Sequence, residues 1–182
     1  MSTKKLEQKK FCYTFSPLND PVIKITPGET IVASFPDWVE GRIKTENDRI
    51  PNLMTPSLSE VHWNPTAGPI YVEGAEKGDT LSAKIVDINI DASQGNAVYL
   101  PTFDDLSVAL LNFSDYKIRI CPIKDGKVSF GDGVEVPVTP NIDCIGTAPM
   151  YGAISTADLG RQGEIWMFRK HVREPLFLFP CL

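Results

Sequence analysis

The chain has 182 residues, 42% hydrophobic and 23% charged, with a formal net charge of −5. That length supports one well-filled core, or one domain and a fragment, and the composition is that of an ordinary soluble globular protein. The acidic balance argues against nucleic acid or an anionic membrane surface as a partner, and no apolar run is long enough to span a bilayer.

Residues 1–12 carry Lys4, Lys5, Lys9 and Lys10 with no apolar core behind them, so they do not form a secretory signal. They read as a disordered, solvated arm. Residues 22–25 and 30–35 are strand-like and flank Pro27-Gly28, a central pair suited to a type II turn. Residues 44–59 are polar and proline-rich and read as a long surface loop. Residues 64–81 form a Pro/Gly-punctuated turn, a short strand carrying Glu73, and a Gly78-Asp79 turn into a further strand. Residues 80–90 alternate apolar and polar, which puts Leu81, Ala83 and Ile85 on one buried face. Residues 103–111 alone show apolar spacing of three and four and predict one short helix. Residues 116–120 and 127–130 bracket Asp125-Gly126, a strong hairpin signal because glycine accepts positive φ. Residues 134–138 form another strand, edge-like because of Pro137. Many short strands between turn signals predict a mainly β fold, a β-sandwich or jelly-roll-like layer with a small α+β portion. Cys12, Cys121, Cys144 and Cys181 have no paired spacing, so free thiols in a reducing, cytoplasmic compartment are expected.

Three blocks carry a resemblance. Asn64-Pro65-Thr66-Ala67-Gly68-Pro69-Ile70-Tyr71-Val72-Glu73-Gly74-Ala75-Glu76-Lys77-Gly78-Asp79 is similar to the N-P-x-T-G-P-I-Y-V-E-G-A-E-P-G-D block of the acetamidase/formamidase family, with Ala67 and Lys77 as departures. Ile25-Thr26-Pro27-Gly28-Glu29-Thr30-Ile31-Val32, followed by Asp37 and Gly41-Arg42-Ile43, resembles its V-x-P-G-D-T-V block and the Asp-Ala after it, with Trp38 in place of that Ala. Ile145-Gly146-Thr147-Ala148-Pro149 resembles its I-G-V-A-P. The resemblance covers residues 13–163. It implies a β-sandwich-rich fold with an added α+β part, hydrolysis of a short linear amide to ammonia and a carboxylate, and a homo-oligomer for the intact family member. It also implies a metal-assisted site of acidic and histidine residues, holding a divalent ion such as zinc or calcium.

At Gly163 the pattern stops. Residues 164–182 resemble nothing in the family and lack its Gly-Asn-x-Asp and Gly-Asp-x-His motifs. Read one nucleotide earlier, the codons of Trp166-Met167-Phe168 force Asp-Val, and their neighbours permit a family-like G-N-M-D-V-P and a later P-G-T-T-L-F-I-P-V-F. The expectation is therefore a one-base loss near Gly163. It would leave a family-like β domain over 13–163, incomplete at its C-terminus, and a non-homologous, poorly packed tail over 164–182. Such a truncated chain is expected to be inactive.

Amide hydrolysis needs an activated nucleophile, a stabiliser for the oxyanion and an acid for the leaving amine. The sequence has no G-x-S-x-G elbow and no H-E-x-x-H. Glu73 is the candidate catalytic acid, against an outward solvated side chain. Asp37 is the candidate metal ligand, against a turn or capping aspartate. Asp79 reads as a turn former, His62 as structural, and His171 falls in the altered tail. Residues 13–17 lack the histidine common in the family near the first strand. Cys144 has no histidine near it and reads as a buried thiol rather than a nucleophile. The alternatives to an amidase are a residual β domain without catalysis and a β-sandwich that binds a small ligand.

Overall fold

The computed structural model describes residues 2–7, 10–48, 63–99, 117–157, 163–165 and 176–181. Among these there is no helix; the strands are β1 (Thr3–Leu6), β2 (Thr14–Phe15), β3 (Ile23–Ile25), β4 (Thr30–Ala33), β5 (Ile70–Val72), β6 (Thr80–Lys84), β7 (Gln94–Tyr99), β8 (Lys117–Lys124), β9 (Lys127–Gly131), β10 (Val134–Pro137), β11 (Cys144–Gly146), β12 (Ile154–Ser155), β13 (Gly163–Ile165) and β14 (Leu176–Pro180). The fold is mainly β, as expected. The helix expected over 103–111, most of the loop over 44–59, and both histidines lie outside the described residues. No described helix is long and apolar enough to cross a membrane. The chain divides into two compact units.

The first unit comprises Met1–Glu40, His62–Ile88 and Pro140–Leu182. Its described strands pair two by two: β1 with β4 and β3 with β5 in parallel, and β2 with β12, β6 with β14 and β11 with β13 antiparallel. The Pro27-Gly28 turn forms as its residues dictate. Gly28 has φ +88°, a region closed to most side chains, and Glu29 N donates to Thr26 O at 3.2 Å. The flanking strands do not pair with each other, however; β3 goes to β5 and β4 to β1.

The arm expected to be disordered over 1–12 is corrected by β1. Lys4 pairs with Ile31 and Leu6 with Ala33, and Leu6 is 5% exposed. The cause is an ion-pair anchor that composition alone does not show. The Glu29 carboxylate accepts from Ser2 Oγ and from Thr26 N at 2.8 Å, and lies 2.8 Å from Lys4 Nζ.

The alternation over 80–90 holds for only half its length. Strand β6 ends at Lys84, with Leu81 and Ala83 turned inward, and beyond it Val86 and Ile90 are exposed. The tail expected to be poorly packed instead supplies β14, whose Phe179 is opposite Leu81 and 6% exposed. Its neighbours Leu178 and Pro180 face outward, so the alternation that the apolar sequence hides is present in three dimensions. Gly78 N donates to Cys181 O and Cys181 N to Asp79 O, both at 2.9 Å, closing this ladder.

The second unit, Gly41–Val61 and Asn89–Thr139, is built on one antiparallel sheet in the order β10-β9-β8-β7. Ile118 and Cys121 of β8 are buried. The Asp125-Gly126 turn joins β8 to β9 with φ +50° and +71°, the type I′ pairing whose twist matches that of the strands. Asp132-Gly133 repeats the device between β9 and β10, with φ +53° and +78°. Strand β10 lies at the sheet edge with every residue exposed, where Pro137 costs no ladder bond.

Candidate active-site region

The family-like block of residues 64–79 folds as a run of turns tied to four other segments of the first unit, at Cys12, Ile25, Trp38 and Cys181. Asn64 has φ +54°, and its N–H donates to Trp38 O at 2.9 Å. The Trp38 and Trp63 rings meet edge to face, 6.0 Å between centroids and 79° between planes, the arrangement favoured by the ring quadrupole. Thr66 exchanges backbone bonds with Cys12 at 2.8 and 3.1 Å, and its hydroxyl donates to Cys12 O at 3.1 Å. A cis Gly68-Pro69 bond leads into β5.

The most buried polar group here is one the sequence does not announce. Thr156 is 1% exposed. Its N–H donates to Tyr13 O at 3.0 Å, and its hydroxyl lies 3.1 Å from Tyr13 O and 3.0 Å from Trp63 O. One side chain thus holds the ends of β2, β12 and the 63–66 turn. A lone Thr in Ile154-Ser155-Thr156-Ala157 has no spacing or motif that marks it for this task.

Cys144 Sγ donates to Thr156 O at 3.2 Å. Burial, and then the neighbouring Asp143 charge, push its pKa up to about 12. Such a thiol stays protonated at neutral pH and is no nucleophile, in keeping with the buried-thiol reading. Burial also pushes the Cys12 thiol up. All four cysteines are free.

Asp37 is exposed. Its Oδ1 accepts from Val39 N at 3.1 Å and its carbonyl from Glu40 N at 3.0 Å. These bonds fold a local turn that seats Val39, which is 0% exposed. Glu73 is also exposed, in the turn directly after β5, where its N–H donates to Ile25 O at 2.8 Å and extends the β3–β5 ladder. Asp79 shapes the next turn: its Oδ2 accepts from Glu76 N at 2.9 Å.

A divalent ion needs several convergent oxygen, nitrogen or sulfur donors. Among the described residues no three His, Cys, Asp or Glu side chains are grouped to hold one, and Asp37 is engaged in its own turn. The described donors alone do not make a zinc or calcium centre, and no chemical step is routed through a metal. In the second unit a shallow cleft of about 280 Å³ is lined by Glu46, Arg119, Phe130 and Asp132 among others. There Arg119 donates to Phe130 O and lies 3.6 Å from Asp132 Oδ2, so its charge is already matched.

Against known proteins, the chain is 35% identical to a formamidase from Methylophilus methylotrophus over 74 residues, 40% of this chain and 17% of that one. It superposes on a crystal structure of acetamidase from Bacillus halodurans with a TM-score of 0.75 and 26% identity, covering 89% of this chain and 52% of the other. A predicted acetamidase/formamidase from the thermophile Thermoanaerobacter tengcongensis gives a TM-score of 0.76 and 29% identity, over 90% and 52%. The chain therefore spans about half the length of these solved structures. The sequence model of the acetamidase/formamidase family matches residues 2–157, most of the chain. The chain belongs to the acetamidase/formamidase family.

Proposed function

We propose that this chain carries part of a hydrolase for the carbon–nitrogen bond of short linear amides, releasing ammonia and a carboxylate from formamide or acetamide. The observation that supports this reading is the family match over residues 2–157. In it, Glu73 is the acid that serves the leaving amine. It sits at a strand end, exposed to solvent and next to Gly74 with φ +77°. A carboxyl in that position can reach a bound small molecule without first breaking a buried pair. The four free thiols suit a reducing compartment, the cytoplasm in this reading.

The reading further holds that these 182 residues lack a full catalytic set, since the family's Gly-Asn-x-Asp and Gly-Asp-x-His motifs are not among them. The test is ammonia release from formamide and acetamide by a protein whose frame is restored at the Gly163 codon. Turnover of either amide is the expected result. A folded, restored protein that releases no ammonia from any short amide would exclude the reading.

A further inference from the structure

The block most like the family leaves apolar side chains in water. On β5, Ile70 is 37% and Tyr71 47% exposed, and among the described residues β5 pairs on one side only, with β3. Lys24 Nζ, from β3, sits 5.4 Å from the centre of the Tyr71 ring. The pattern extends through the first unit, whose described strands make five two-stranded ladders and no larger sheet. Two strands alone are marginal in water; a third strand or a packed layer is needed.

The apolar balance agrees. Among the described residues of this unit Leu6, Ile25, Val39 and Phe179 are buried, while ten large apolar side chains are exposed, including Val32, Phe35, Met150 and Tyr151. Scattered exposed apolar residues are ordinary, but an excess over the buried set, beside open strand edges, marks an interface. The solved relatives indicate what fills it. They share this fold, and this chain covers only 52% of each, so nearly as much chain again belongs to the architecture outside the matched part.

We propose that the open ladders of the first unit, centred on Ile70 and Tyr71, are the docking surface for the other half of the acetamidase/formamidase fold, which adds a strand and an apolar layer there. The proposal rests on family membership and not on the reaction above. Strand addition supplies main-chain hydrogen bonds, and Ile70 and Tyr71 supply the apolar contact.

The test mixes the 182-residue chain with a polypeptide carrying the part of the Thermoanaerobacter protein that this chain does not cover. A second measurement uses the two joined by a flexible linker, so that a partner half unable to fold alone does not decide the matter. A one-to-one complex by light scattering is expected, or in the joined protein at least tenfold slower amide exchange over 70–72. Ile70→Lys with Tyr71→Lys should weaken that complex, or reverse that protection, at least tenfold while leaving the circular dichroism of the free chain unchanged. Unaltered exchange over 70–72 in both formats, or equal binding and protection with the double variant, overturns the proposal. So does the same protection arising in the chain alone as its concentration rises, which would assign the surface to a second copy.

Discussion

Thr156 and Glu73 show two opposite ways in which a single residue can matter. Thr156 is fully buried and its hydroxyl meets Tyr13 O and Trp63 O. Thr156→Val keeps the shape and the backbone bond from Thr156 N to Tyr13 O but removes the buried hydroxyl that these carbonyls share, at a cost of about 1–3 kcal/mol. The urea midpoint should fall accordingly, and an unchanged midpoint would show that the hydroxyl holds nothing. Glu73 is exposed, so Glu73→Gln should change stability by no more than about 0.5 kcal/mol. In the frame-restored protein the same change should lower kcat about tenfold or more with little effect on KM, as loss of an acid acting in the transition state requires. Asp37→Asn retains an acceptor oxygen for the Val39 N–H bond and should change stability by no more than about 0.5 kcal/mol. Glu73 and Asp37 could be picked out of the sequence because they stand in family-like blocks. The turn that occupies Asp37 and the burial of Thr156 could not, because both depend on which distant segments meet.

At the scale of elements, local chemistry is legible and long-range pairing is not. Asp125-Gly126 announces its hairpin because only a few residues accept positive φ twice in succession. Gly126→Ala, at φ +71° with nothing within 4 Å of the added Cβ, strains the backbone without any clash. It should cost about 1 kcal/mol or more, read as a lowered midpoint for protection of β8 and β9. Strand β1 is the contrary case. Its basic sequence reads as a solvated arm, and only Glu29, more than twenty residues away, makes it a strand. Bonds from Lys4, Ser2 and Thr26 hold the Glu29 pKa at about 2, below its ordinary 4.5. A depressed carboxylate contributes stability above the unfolded value and loses it as pH falls through the folded one. Protection over residues 3–6, taken relative to the intrinsic exchange rate at each pH, should therefore fall between pH 4.5 and 2, and Glu29→Gln should lower it already at pH 7. A β1 that stays equally protected in both experiments would show that Leu6 burial alone seats the strand.

For the molecule as a whole, the mainly β class was readable from alternation and turn residues. The division into two units was not, because it depends on residues 41–61 and 89–139 forming one unit across the family-like block between them. The same scale governs activity. The matched region supplies turns, open ladders and exposed carboxylates, while no described group of acidic, histidine or cysteine side chains forms a closed donor set. Removing one donor from a preorganised oxyanion site typically costs about 10²–10³ in kcat. On the proposed reading two whole family motifs are missing from these 182 residues, and several such groups with them. The 182-residue chain should therefore release ammonia from formamide or acetamide at least ~10³-fold more slowly than its frame-restored counterpart, by the same reasoning. The comparison must be made at equal folded concentration, checked by circular dichroism, so that a loss of activity is not a loss of protein. Comparable kcat/KM in the two would place the complete machinery within these 182 residues and refute the argument.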